Sequence, residues 1–290
     1  MARFTKKINP GVILGLPYLA HLLLFFVYPV VFSFILVFHR WDIVTPMEFV
    51  GMRNIGRIFA DEVFLQSIIN TGVFLVLHIP LQIIVALFFA VLLNEEIRAR
   101  GFFRTLYFLP VVVSGVVVTI LFQQLFSYDN GLLNQFLATL GLPYVPWLVS
   151  SKWAMPSIAL MATWKNVGLY IILFMAGLQS IPSQLYEAAR LDGTSTWQRF
   201  YHITLPMLNP TMVTVVVLSV IGGFSLFIEP YVMTGGGPMN STLSAVLYIY
   251  NQAFNFGHMG YAATLGLFFA AIIFTVVIIQ RRFVESELYQ

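Results

Sequence analysis

The sequence has 290 residues, of which 59% are apolar and 9% charged, with a formal net charge of +3. Soluble domains carry about 25% charged residues. This chain therefore lacks the polar surface to cover a globule in water, and the bilayer is its natural solvent. Its bases fall in short clusters between apolar runs, which excludes a nucleic-acid-binding face. With no cysteine there is neither a disulfide nor a thiolate metal site.

Six stretches follow in chain order, each about long enough to cross a bilayer as a helix: residues 11–38, 68–93, 105–127, 155–181, 207–228 and 259–280. They predict an all-α integral membrane protein with six transmembrane helices, residues 11–290, behind a short N-terminus, residues 1–10. Arg3, Lys6 and Lys7 before the first stretch resemble the start of a signal peptide. The 28 residues of that stretch exceed a signal-peptide core of roughly 7–15, so it is expected to be retained. All six are too long and too rich in Leu and Phe for barrel strands. Pro17, Pro29, Pro80 and Pro110 lie within them, which membrane helices tolerate where neighbours re-satisfy the backbone.

The Lys/Arg distribution orients the chain. Arg3, Lys6, Lys7, Arg98, Arg100, Arg104, Arg190, Arg199, Arg281 and Arg282 share the side of the termini. Arg40, Arg53, Arg57 and Lys152 lie on the other side, and Lys165 lies inside the fourth stretch. Both termini and the segment 182–206 are thus expected in the cytoplasm, in a multi-pass protein of the cell membrane (plasma or inner). Segments 40–67, 128–154 and roughly 229–258 are expected outside. Trp41, Trp147 and Trp153 in them are expected as interface anchors.

Segment 182–206 reads as two short helices. Pro182 and Ser183 start the first, Asp192-Gly193 stops it, Thr194 or Ser195 caps the second, and Leu205-Pro206 ends that one. Leu185, Ala188 and Ala189 fall at three- and four-residue spacing and offer a shallow face, with Glu187, Arg190 and Asp192 around it. By itself this describes either a docking element or an ordinary amphipathic helix on the bilayer. The residues go further. Glu187-Ala188-Ala189, Gly193, Ile203 and Leu205-Pro206 resemble the EAA loop of ABC importer permeases, with every gap kept. The runs Leu-Gln-Ser-Ile-Pro (178–182), Thr-Gly-Gly-Gly-Pro (234–238) and Gly-Tyr-Ala-Ala (260–263) are similar to the sugar and glycerol-phosphate (maltose-type) branch.

The resemblance implies the type I importer permease architecture in its compact six-helix form. It implies that Glu187, Ala188, Ala189, Asp192, Gly193, Ile203, Leu205 and Pro206 couple to an ATP-binding subunit. It also implies a homologous second permease in a heterodimer, two ATP-binding subunits and an extracytoplasmic solute-binding protein docking near 234–238. The chain holds no phosphate-cradling Gly-x-x-x-x-Gly-Lys motif. ATP and Mg are accordingly expected on the partner ATPase, with no cofactor on this chain, and the chain is not expected to be an enzyme.

Lys165 falls about 15 Å into the fourth helix at 1.5 Å per residue. A charge there costs at least ~2.5 kcal/mol, so it faces a polar cavity, snorkels outward or meets an acid of a partner. Trp164 and Asn166 beside it offer a ring and an amide. Ser219, Gly222, Gly223 and Ser225 on the fifth helix serve either a cavity lining or close helix packing. The resemblance to maltose-type permeases implies solute contacts at Trp164, Lys165, Asn166 and Leu169 and at Ser219, Gly223 and Leu226. The asparagine-rich stretch of those permeases is missing from helix five, which argues against a maltose-like solute. His21, His78, His202 and His258 are scattered and predict no metal. A self-contained secondary transporter would need coupling-ion sites, and an intramembrane enzyme would need paired acids. The apolar stretches contain neither.

Overall fold

A computed structural model describes residues 10–94 and 100–286. The expected N-terminus falls almost wholly outside them, as do the side chains of Arg98, Arg100, Arg104 and Arg281. Among the described residues, five helices are long and apolar enough to cross a membrane, and a bent pair of helices brings the count to six.

The described residues form two compact units. The first holds 10–61 and 249–269. Helix α1 (Pro10–Leu22) leads through a π turn, Leu23–Val27, into α2 (Tyr28–Leu36). The π turn has a local cause. Pro29 has no N–H to donate and its ring crowds the carbonyl four residues back. The chain accommodates this by widening the turn just before it, the Tyr28 amide reaching back to the Leu23 carbonyl. A two-residue antiparallel pairing, β1 (His39–Arg40) with β2 (Glu48–Phe49), and α3 (Arg53–Ile58) follow. Buried Asn54 fastens this segment by donating to the carbonyls of Val37 (2.9 Å) and His39 (3.0 Å). The last long helix begins against it. The Met259 amide donates to the Trp41 carbonyl at 2.9 Å. A Cβ on Gly260 would lie 1.9 Å from the His39 carbonyl oxygen, so only glycine fits there.

The second unit holds the other described residues, 62–94, 100–248 and 270–286. Its axis is the pair α4 (Glu62–Asn94) and α8 (Ala154–Gln179). Around the pair lie α5 (Arg100–Val112), α6 (Gly115–Leu125), α7 (Leu132–Thr139), α9 (Ser183–Leu191), α10 (Thr196–Arg199), α11 (Leu205–Met207), α12 (Asn209–Phe224), α13 (Ile228–Met233) and α14 (Ala245–Tyr250), which runs to the unit's edge. The final helix, α15 (Met259–Ser286), passes through both units. Between helices in lipid, packing replaces the hydrophobic drive. It is served here by small residues: a Cβ on Gly168 of α8 would lie 2.2 Å from the Tyr107 carbonyl oxygen of α5. Ala86 and Ala90 of α4 pack with Val167, Ile171 and Phe174 of α8 in one core. Phe74, Val118, Phe126, Ile158 and Met161 form a second.

Three expectations need correction. The third span is two helices, α5 and α6, meeting at 96°. Pro110 and the Ser114-Gly115 step break the ladder there. The fifth helix stops at Phe224 and resumes as α13. Trp147 is not simply an interface anchor, for its ring packs on Phe126 at 5.5 Å and its Nε1 donates to Asn134 at 3.0 Å. Asn134, fully buried, also binds the backbone at Tyr128 and Val145, and segment 128–154 is folded around it.

Candidate coupling segment and solute cavity

The segment after α8 turns at Pro182, whose extended backbone starts α9. The end of α9 is a Schellman closure. The Thr194 amide donates to the Ala189 carbonyl and the Gly193 amide to the Arg190 carbonyl, both at 3.1 Å. This geometry needs a left-handed residue, and Gly193 supplies it with φ +72°. Ser195 then caps α10 in a reciprocal capping box with Gln198. The chain does not stop at Leu205-Pro206. A π turn, Phe200–Thr204, precedes the proline as one precedes Pro29, and the helix runs through Pro206 into α11 and then, past Leu208, α12.

Exposure divides the eight predicted coupling residues. Glu187, Ala188, Asp192, Gly193 and Pro206 are exposed, Ile203 and Leu205 are half-buried and Ala189 is buried. Neighbouring residues on a helix point about 100° apart, so the two alanines do not share the shallow outward face. Ala189 packs inward and Ala188 outward. Tyr186 and Ile203 pack on the apolar core, and the Tyr186 hydroxyl lies 2.9 Å from Thr204 Oγ1, which ties α9 to the π turn. The outer surface carries a residue not singled out as a site from the sequence. Leu191 is 90% exposed beside Gly193. A leucine at an exposed helix end beside a Gly stop was the available signal.

A cavity of about 190 Å³ opens between α4, α5, α8 and α12–α13. Asn166, Leu169, Ser219, Gly223 and Leu226, five of the seven predicted path residues, line it. Trp164 does not. Its ring packs on Phe122 at 5.1 Å and lines a separate apolar cleft with Thr163 and Val167. Lys165 is half-buried outside the cavity lining, with Cε 3.5 Å from the position a Cβ would take on Gly115, at the break between α5 and α6. It interacts electrostatically with Glu229, which does line the cavity. The fold thus brings these two charged residues near each other. Gly222 faces open space, whereas Gly223 is a packing glycine, its missing Cβ taken by Leu75 of α4.

The wall from α4 was not singled out from the sequence. His78 is bonded to Thr163 Oγ1 at 2.8 Å and stacked on Phe74, and Gln82 donates to Ser219 Oγ at 2.9 Å. Three polar residues on one face of an apolar helix, Asn70, His78 and Gln82, were the legible sign.

The family described as binding-protein-dependent transport system inner membrane component matches residues 56–286. The chain belongs to that family. The permease is 40% identical to the lactose transport system permease protein LacF of Rhizobium radiobacter over 255 residues, 86% of this chain and 85% of the relative. It is 34% identical over 275 residues to the trehalose/maltose transport system permease protein MalF of Thermococcus litoralis, 94% of this chain and 93% of the relative. It is 35% identical over 281 residues to the probable ABC transporter permease protein YurN of Bacillus subtilis, 93% and 96% of the two chains. Among solved structures, a chain of a bacterial alginate ABC transporter in complex with a periplasmic protein shares the permease fold. The TM-score is 0.82 over 94% of this chain and 92% of that one, at 24% identity.

Proposed function

We propose that this permease forms one half of the path by which a binding-protein-dependent importer carries a sugar or sugar-like solute across the cell membrane. Exposed α9, closed by Gly193 and tied through Tyr186 to the π turn that leads into α12, is the observation that carries the reading. Glu187, Ala188, Asp192, Gly193 and Leu191 present its outer surface to an ATP-binding subunit. Ala189, Ile203, Leu205 and Pro206 transmit the movement inward. ATP and Mg are used on that partner, and this chain supplies no catalytic group. The transport names of LacF and MalF support the sugar class.

The solute passes the cavity lined by Asn166, Leu169, Ser219, Gly223 and Leu226, with Lys165 at its edge and Trp164 on the adjoining cleft. The partner set is a second, homologous permease, two ATP-binding subunits and an extracytoplasmic binding protein that docks near 234–238. The residues just after that turn are fastened to α4: Asn70 donates to the carbonyls of Asn240 (2.7 Å) and Leu243 (3.0 Å). Both termini face the cytoplasm.

The test is co-purification from membranes with all neighbouring gene products expressed, followed by an ATPase assay. The expected result is co-elution of an ATP-binding subunit and a second permease, with ATPase activity raised by a sugar-loaded binding protein. A chain that purifies alone and transports in liposomes without ATP overturns the reading.

A further inference from the structure

We propose that the cavity of the first unit is a binding site for the phosphodiester headgroup of an anionic phospholipid. The cavity has a volume of about 550 Å³, and its lining includes Arg40, Trp41, Asp42, Arg53, Arg57 and His258. Arg40, Arg53 and Arg57 are three of only four Lys and Arg in the segments on this side of the membrane. Such segments are poor in these residues, so their convergence on one cavity calls for a bound anion.

Two of the three guanidiniums, Arg57 and Arg40, have a contact within the unit, and the acid in the lining, Asp42, is already satisfied. Asp42 accepts from the Thr45 amide (2.7 Å), the Thr45 hydroxyl (2.7 Å) and the Val44 amide (3.1 Å). Those bonds hold its carboxyl below the usual 3.8, and it serves its own turn. The Arg57 guanidinium carbon lies over the Tyr261 ring, 4.0 Å from its centroid, and the Tyr261 hydroxyl donates to Asp61 at 2.6 Å. A guanidinium held over a ring still has its N–H groups to donate, and these suit phosphate oxygens. His258 is oriented through Nδ1, 2.9 Å from Gln252 Oε1. Arg40 is shared with Glu48 at 3.3 Å.

Depth and surroundings separate a lipid from other anions. The first span ends at Leu36 and the last begins at Met259. Residues 40–42 and 256–258 therefore sit within a few residues of the hydrocarbon edge, where headgroup phosphates lie. Trp41 belongs at that level as well. Phe49, Phe254 and Phe256 of the same unit are exposed. An anion that carries acyl chains matches both the guanidiniums and this apolar border. A soluble anion or an acidic protein loop matches the guanidiniums alone.

The test uses the purified importer complex in detergent, incubated with mixed micelles of equal phosphatidylglycerol and phosphatidylcholine, with retained lipids counted by native mass spectrometry. Arg53→Ala is the primary variant, because Arg57 also packs on Tyr261. The wild type is expected to prefer phosphatidylglycerol about tenfold more than Arg53→Ala does at this site, while Arg53→Lys keeps most of the preference. The same lipid preference in wild type and Arg53→Ala overturns the proposal. Displacement of the lipid by millimolar glycerol phosphate overturns it in favour of a small-anion site. An Arg53→Ala effect seen only in stimulation by the binding protein, with lipid retention intact, overturns it in favour of protein docking.

Discussion

Lys165 and Gly168 lie on the same helix and test opposite kinds of residue importance. Lys165 is half-buried beside the break between α5 and α6, with Glu229 as its electrostatic neighbour across the cavity edge. If it serves the path, Lys165→Ala lowers uptake per assembled complex by about tenfold, equivalent to ~1.4 kcal/mol of barrier. Quantitative uptake normalised to complex yield checks this. A fall in yield with unchanged uptake per complex makes the lysine structural. Gly168 has no such role to lose. A methyl there meets the Tyr107 backbone oxygen, and backbone moves less readily than a side chain. Gly168→Ala is expected to destabilise the subunit by about 1–3 kcal/mol, whereas Gly222→Ala, with open space at its Cβ, is expected to be neutral. Thermal unfolding of the two variants in detergent compares them. Equal midpoints mean that the α5–α8 contact yields freely.

Segment 182–206 was the most legible part of the chain. Its start, stop and second cap depend on local rules, and Pro182, Gly193 and Ser195 take those positions in the structure. The end of the second helix was not legible. A proline is ordinarily a stop, and nothing in the sequence announces that the preceding turn widens to let the helix continue. The same feature at Pro29 went unread for the same reason. At this scale, Glu187→Lys reverses the charge on the exposed face of α9, and Gly193→Pro forbids the left-handed closure. Both are expected to abolish uptake while the subunit stays in the membrane. Uptake assays with membrane-fraction immunoblots measure the two halves of that statement. Normal uptake by both variants removes α9 from the coupling role.

Across the whole chain, composition and run length sufficed for six crossings, because hydrocarbon thickness imposes them locally. The cavity was legible only in part. Asn166 and Ser219 were accessible through the helices that flank the coupling segment. His78 and Gln82 stand out as polar positions on one face of α4, but their partners, Thr163 of α8 and Ser219 of α12, come from long-range pairings that no local pattern encodes. Trp164 lines the adjoining cleft rather than the cavity, because adjacent residues on a helix face different neighbours. The topology itself is testable with unusual cleanliness, since the chain has no cysteine to interfere. Leu191→Cys and Val44→Cys each place a thiol at a site that is about 90% exposed in the native residue. A membrane-impermeant maleimide is expected to label Val44→Cys from outside intact cells and Leu191→Cys only in inverted vesicles. Labelling of both from one side overturns the alternation of crossings.

The helix that continues through Pro206 has a mechanical meaning. From Leu205 to Phe224 the chain is helical apart from one turn at Leu208, a rod of about 30 Å at 1.5 Å per residue. Its foot is tied to α9 through Thr204 and Tyr186, and its head lines the cavity at Gly222 and Gly223. A rod of that length tilted by about 10° at the foot swings its head by about 5 Å, comparable to the width of a sugar ring. A helix that ended at Pro206, joined by a slack connection, would not carry a tilt of its foot to the cavity.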